Sequence, residues 1–279
     1  MAVIVTSHLR HVLLAACFCL LPTLSSAASE KTSPALPMEI TVGVYNTPPM
    51  GWHDADGNIQ GIVPYLSTQL IDHWQRGHQL NYRLGSTERM MQELLRGDTD
   101  LTYTIGDPRL ENNAIKVAKL ITVPLEAWSL KTQPLKSVQA LRNATLATLP
   151  MYKDMQPLQH SHLIQQPVSK DFLRLLHGQR VDGVVAFRQI LMVLANNDDR
   201  PVENYHQLPL ANVDIFLWMS RHSPLAQYLQ PLQKAAAATN TPASVAAYLR
   251  HLGANKQPNC GPKELSAQSV LSSRASPCR

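Results

Sequence analysis

The chain has 279 residues, 44% of them hydrophobic and 16% charged, enough apolar material for two lobes and a sizeable core. Its net charge of +5 sits at the ends: Arg10 near the start, and Lys256, Lys263, Arg274 and Arg279 against Glu264 in the tail. The body is therefore close to neutral, which excludes a nucleic-acid surface, and it has no cysteine between Cys19 and Cys260, which excludes a thiol nucleophile or a thiolate metal site there.

In chain order, residues 1–27 read as an export signal: His8, Arg10 and His11 precede an apolar run from Val12 to Leu24, and Ser25-Ser26-Ala27 supplies small residues for cleavage. The run is short and interrupted by Pro22, which argues against a membrane anchor. Leu14-Ala15-Ala16-Cys17 also matches a lipid-attachment pattern, but the apolar run continues past Cys17, so cleavage is the favoured reading. The mature chain is expected outside the cytoplasm, in a bacterial periplasm. Residues 28–37 read as a polar linker.

Ile40 to Val44 alternates as a strand and runs into the turn-rich Tyr45-Asn46-Thr47-Pro48-Pro49-Met50. Asp54 to Asn58 reads as a tight turn, and Leu66, Leu70, Ile71 and Trp74 have helical spacing. Asn81 to Leu84 is expected as a strand. Ser86 or Thr87 can cap a helix carrying Met90, Met91, Leu94 and Leu95 and ending near Gly97. Leu101 to Ile105 follows as a strand, giving βαβαβ, the pattern of a parallel sheet. Thr102, Thr104 and Arg109 then fall near the carboxyl end of that strand, where open α/β sheets bind ligands. Arg109 presents a planar fork of donors suited to a carboxylate; the alternative is that it caps a turn or pairs with Asp107 or Glu111.

A second lobe is expected after Val117 to Leu130, with a strand at Thr145 to Leu149, a helix at Asp171 to Gly178, a buried strand at Val181 to Ala186 and a helix at Ile190 to Leu194. The chain then returns to the first lobe through a strand at Asp214 to Met219. Ser223-Pro224 and Thr241-Pro242 each look like a cap with proline at the first helical position, before helices over Leu225 to Ala238 and Val245 to Leu252, the latter closed by Gly253. The Ser-, Pro- and Gln-rich tail is expected to be disordered, and Cys260 and Cys278 within it could pair in an oxidising compartment.

Five of these pieces, in this order, resemble the type II periplasmic solute-binding proteins that serve amino-acid ABC transporters (extracellular solute-binding protein family 3). They are Val42-Gly43-Val44-Tyr45, Pro48-Pro49-Met50, Asp56-Gly57 followed by Gly61, the stretch from Leu94 to Arg109, and Leu175-Leu176-His177-Gly178 ahead of Val181-Asp182-Gly183-Val184-Val185. The resemblance implies an α/β fold of two hinged lobes, each a mostly parallel sheet flanked by helices, with a ligand cleft between them. Lobe 1 would be 38–125 with 207–253, lobe 2 126–206, and 254–279 the tail. It implies that Thr102 and Thr104 face a solute's carboxylate and that Arg109 clamps it. It also implies a monomer that hands its solute to an ABC permease; a membrane receptor is the alternative partner.

This chain departs from that pattern where an amino-acid binder holds the α-ammonium. The stretch after the second-lobe strand reads Ala186-Phe187-Arg188, with no carboxylate, and the first strand of lobe 2 runs into Leu149-Pro150-Met151-Tyr152-Lys153 rather than a Gly-Thr turn. Arg188 and Lys153 would favour a second anionic group, so a di-acid, a modified amino acid or another organic anion is expected; Arg188 as a solvated helix-start residue is the competing reading. Tyr45, Trp52 and Tyr103 are the candidate cleft aromatics, while Trp74, Trp128 and Trp218 read as core. No cofactor is expected. His160 with His162, and His251 with Asn255, lack acidic or thiol companions at ligand spacing, so no metal is expected either. The function readings are solute delivery to an importer, ligand sensing with a membrane receptor, and a dehydratase-like enzyme on the same scaffold. Glu126, Asp154 and Glu203 are the acidic candidates for the enzyme, and the chain is read as a binder.

Overall fold

The computed structural model describes residues 39–74 and 78–254. The expected export signal, linker, Cys17, Cys260, Cys278, Asn255 and the tail beyond Ala254 lie outside the described residues.

The first half opens with β1 (Glu39–Tyr45), a small hairpin of β2 (Trp52–His53) and β3 (Ile59–Gln60), α1 (Ile62–Trp74), β4 (Gln79–Gly85), α2 (Thr87–Arg96), β5 (Leu101–Ile105) and α3 (Pro108–Asn113). Ser86 caps α2 by accepting from the Arg89 N–H, and Gly97 ends it in the left-handed region. A long strand, β6 (Ala114–Leu130), leads to α4 (Val138–Leu141), β7 (Thr145–Thr148), β8 (His162–Gln165), α5 (Phe172–His177), β9 (Gly183–Phe187) and α6 (Arg188–Asn197). The chain returns along β10 (Tyr205–Ser220) to α7 (Leu229–Ala238) and α8 (Thr241–Ala254).

Eight strands form one sheet in the order β4-β1-β5-β10-β6-β9-β7-β8. The outer pairs β1–β4, β1–β5, β7–β8 and β7–β9 are parallel. The pairs that join the two sides, β5–β10, β10–β6 and β6–β9, are antiparallel. Two main cores lie along this sheet. One gathers Ile40, Val42, Leu66, Leu101, Leu217 and Leu232; the other gathers Leu125, Trp128, Leu146, Phe172, Val184 and Leu191. The long strands pass from one to the other: Val117 and Leu217 belong to the first, Val123 and Ile215 to the second, and Ile121 packs against both.

Three local expectations change. Residues 117–130, given no element from the sequence, are part of β6, and β10 extends well before Asp214, because the two strands pair with each other over nearly their whole length. Pro124 and Pro209 are accommodated within that pairing, Pro209 at a register shift to Ala211. Ser223-Pro224 starts a 3-10 helix (Pro224–Tyr228) before α7 begins. Thr241 is the first residue of α8, not its cap, and α8 runs through Gly253.

Candidate functional site

The carboxyl ends of β1, β5, β7 and β9 converge on one chamber. Its walls are Tyr45, Thr47, Met50, Thr87, Tyr103 and Thr104 from one side and Leu149, Met151, Tyr152, Phe187 and Ile190 from the other, with Ile215 of β10 beneath. The space closed off between these walls is about 10 Å³. A second chamber, with about 40 Å³ of closed space, shares Met50, Tyr103, Phe187, Ile190 and Ile215 with it and extends between the starts of α1, α6 and α8. Its further walls are aliphatic, including Ile62, Val63, Leu66, Ile121 and Val245, together with Gln189 and Thr241. Among the described residues no charged side chain lines either chamber.

Two phenols define the first chamber chemically. Tyr45 and Tyr152 are 4% and 0% exposed, and neither hydroxyl completes a hydrogen bond. The Thr104 and Thr102 hydroxyls lie beside the Tyr45 oxygen, and the Phe187 backbone beside that of Tyr152, without reaching bonding geometry. Burial pushes both phenols above the ordinary tyrosine range, so both stay protonated at neutral pH. A buried hydroxyl left unpaired costs about 1–3 kcal/mol, which a ligand that completes the bond recovers. In the second chamber the Gln189 Oε1 is likewise buried without a partner.

Tyr45, Tyr103 and Thr104, expected from the sequence as ligand contacts, are brought together here. The Tyr103 hydroxyl accepts from the Ser67 hydroxyl of α1 at 3.1 Å, and burial raises its pKa. The other four candidates line neither chamber. Thr102 lies one pleat deeper on the face of Thr104, where its hydroxyl donates to the Gly43 carbonyl at 3.1 Å. Trp52 is half-buried in the β2–β3 hairpin.

Arg109 sits in the first turn of α3. Its Nε and Nη2 fork onto Asp107 at 3.0 and 2.9 Å, and its Nη1 holds both oxygens of Glu88 at 2.9 and 3.0 Å. Its bonds hold the Asp107 carboxyl below the usual range; Glu88 is lowered first by Gln92 and then by Arg109. Arg188 opens α6 and faces the buried Glu126 at 3.6 Å. Glu126, considered as an acid for catalysis, also accepts from the Trp128 indole at 2.8 Å.

Thr47, Thr87, Met151, Tyr152 and Phe187 were not singled out as contacts. The available signal was positional: Phe187 ends β9 as Tyr45 ends β1, and Tyr152 lies in the turn that follows β7. Among the described residues no three His, Cys, Asp or Glu side chains come together as a metal-holding group. His160 and His162 are exposed. Among the described residues no helix is long and apolar enough to cross a membrane.

No protein-family model and no curated protein sequence matches the chain. Solved structures do. A solute receptor for L-cysteine from Neisseria gonorrhoeae is similar with a TM-score of 0.62 and 17% identity, over 76% of this chain and 88% of that one. A histidine kinase sensor domain with similarity to periplasmic binding proteins gives 0.64 and 18%, over 77% and 94%. An amino acid ABC transporter substrate-binding protein from Streptococcus pneumoniae, bound to L-arginine, gives 0.64 and 14%, over 78% and 95%. The fold is therefore the two-lobe, type II periplasmic-binding-protein fold that the order of sequence motifs implied.

Proposed function

We propose that this chain is a solute-binding protein of the periplasm, capturing a small organic solute between lobe 1 (38–125 with 207–253) and lobe 2 (126–206). One observation carries this reading: side chains from the strand ends of both cores close on one chamber, and two of them, Tyr45 and Tyr152, have buried hydroxyls that lack partners within the protein. Binding is favoured over turnover because the polar lining consists of phenols and threonines. These hydrogen-bond a solute, but with pKa values pushed up by burial they are poor proton-transfer groups at neutral pH.

Delivery to an ABC importer is the first assignment. Sensing for a membrane receptor is the second, favoured by the similarity to a histidine kinase sensor domain. Loss of solute uptake on deleting the gene supports the importer; intact uptake with a lost response to the solute supports the sensor. A carboxylate-bearing solute clamped by Arg109 is the competing form and the disfavoured one, because Arg109 lines neither chamber and is already paired with Asp107 and Glu88. It requires the guanidinium to exchange Asp107 or Glu88 for the solute's carboxylate, an exchange of like for like.

The test is a thermal-shift screen against amino acids, di-acids, polyamines and neutral aromatic metabolites. A solute at 100 times its dissociation constant adds about 2.7 kcal/mol of stability, a readable rise in Tm. Folded protein that responds to none of these classes counts against solute capture.

A further inference from the structure

We infer that the cleft takes an uncharged amphipathic solute: an apolar body carrying a hydroxyl or carbonyl that the Tyr45 and Tyr152 phenols bind. This rests on the cleft-binding reading above and names the solute class for that same site.

The argument begins with charge. Moving an ion out of water costs several kcal/mol unless the site supplies a hydrogen-bonded counter-charge. Neither chamber has one among the described residues. The charged groups nearest to hand are already paired: Arg109 with Asp107 and Glu88, and Arg188 with Glu126. Lys153 is exposed and acts on Asp107 rather than lining the chamber. The Phe187 ring walls both chambers.

Hydrogen bonding and shape supply the rest. Both phenols can donate to a carbonyl or exchange bonds with a hydroxyl. The adjoining chamber offers aliphatic wall from Ile62, Leu66, Ile121 and Val245, which rewards burial of an apolar body at roughly 25 cal/mol per Å². The unpartnered Gln189 Oε1 in that chamber accepts a bond from a second donor on the solute.

The experiment is equilibrium dialysis of the whole chain against 1-naphthol, naphthalene, L-arginine and L-cysteine, repeated with Tyr45→Phe/Tyr152→Phe and with Arg109→Ala. The expected result is one bound 1-naphthol, with naphthalene about tenfold weaker. The double phenylalanine variant, which keeps the ring volumes, should bring 1-naphthol down to the level of naphthalene and leave naphthalene unchanged. Arg109→Ala should change neither. Equal binding of the two probes, indifferent to both phenols, overturns the inference. Tighter binding of either amino acid than of the neutral probes, lost in Arg109→Ala, also overturns it while leaving solute capture intact. Folded protein that binds none of the four overturns the inference, and solute capture falls separately if the wider screen is also silent.

Discussion

Glu126 keeps 4% of its side chain exposed, with Arg188 at 3.6 Å and the Trp128 indole at 2.8 Å. A carboxylate that deep is tolerable only while paired. Arg188, expected as a ligand contact, has in this structure the work of neutralising it. Arg188→Ala should therefore lower stability by about 1–3 kcal/mol, less than for a fully buried pair because the arginine is half-exposed and screened. Adding Glu126→Gln should recover much of that loss, since the amide needs no counter-charge. Urea denaturation of the single and double variants checks this; a loss of solute affinity at unchanged stability would return Arg188 to the binding site. Arg109 makes a different case. It is half-exposed, so Arg109→Ala should cost about 1 kcal/mol or less at neutral pH. Asp107 and Glu88 are both held below their ordinary values, so what they contribute is fully present above the ordinary carboxylate pKa of about 4. It is lost as pH falls below that value toward their folded pKa values. The stability difference between wild type and Arg109→Ala should shrink over that acid range, and a difference that grows on acidification would rule out this pairing as the cause.

The loop after β1 shows how backbone packing positions a cleft side chain. Gly61 has φ +142°, and a Cβ there would run into the Met50 carbonyl and come within 2.7 Å of the Gly51 Cα. Met50 lines both chambers. Gly61→Ala should therefore cost about 1–3 kcal/mol and also weaken solute binding by displacing Met50. Gly57→Ala, also at positive φ (+84°) but with nothing within 4 Å of the new methyl, should pay the backbone strain alone and leave affinity unchanged. Equal affinity in both variants would detach the loop from the site. The same contrast between local and distant causes explains what could be read from the sequence. The runs that make β1, β5, β7 and β9 are buried on both faces, and Ser86 and Gly97 bracket α2 by local chemistry, so both kinds of signal are visible in one dimension. β6 carries Lys116, Lys119, Thr122 and Pro124, and becomes a strand through partners about ninety residues away, such as Asp214 beside Thr122. The site divides in the same way. Tyr45, Tyr103 and Thr104 follow from strand ends, whereas Tyr152, Phe187 and Thr87 become contacts only when the second core is brought opposite the first.

β6 and β10 are the strands that pass through both cores, paired from Ala114 with Ser220 to Leu130 with Tyr205. The register shift between Ile215 and Phe216 interrupts the ladder at the point where β10 leaves one core for the other, and a bulge is where a paired strand bends most readily. Across the mouth the two sides touch: the Thr87 hydroxyl of α2 lies 4.0 Å from the Met151 sulfur. With that contact made, the proposed route for a solute is for the lobes to swing apart about the crossing strands and then return. The described arrangement is then the closed end of the motion. Small-angle scattering should give a radius of gyration that falls when 1-naphthol saturates the protein. Because the closed form is then a minor population without solute, the apparent dissociation constant rises in proportion to its scarcity. A substitution that frees the mouth, such as Met151→Ala, should weaken binding chiefly through faster release. A solute-free protein that already scatters as the closed form, unchanged on saturation, would replace the hinged cleft with a rigid one.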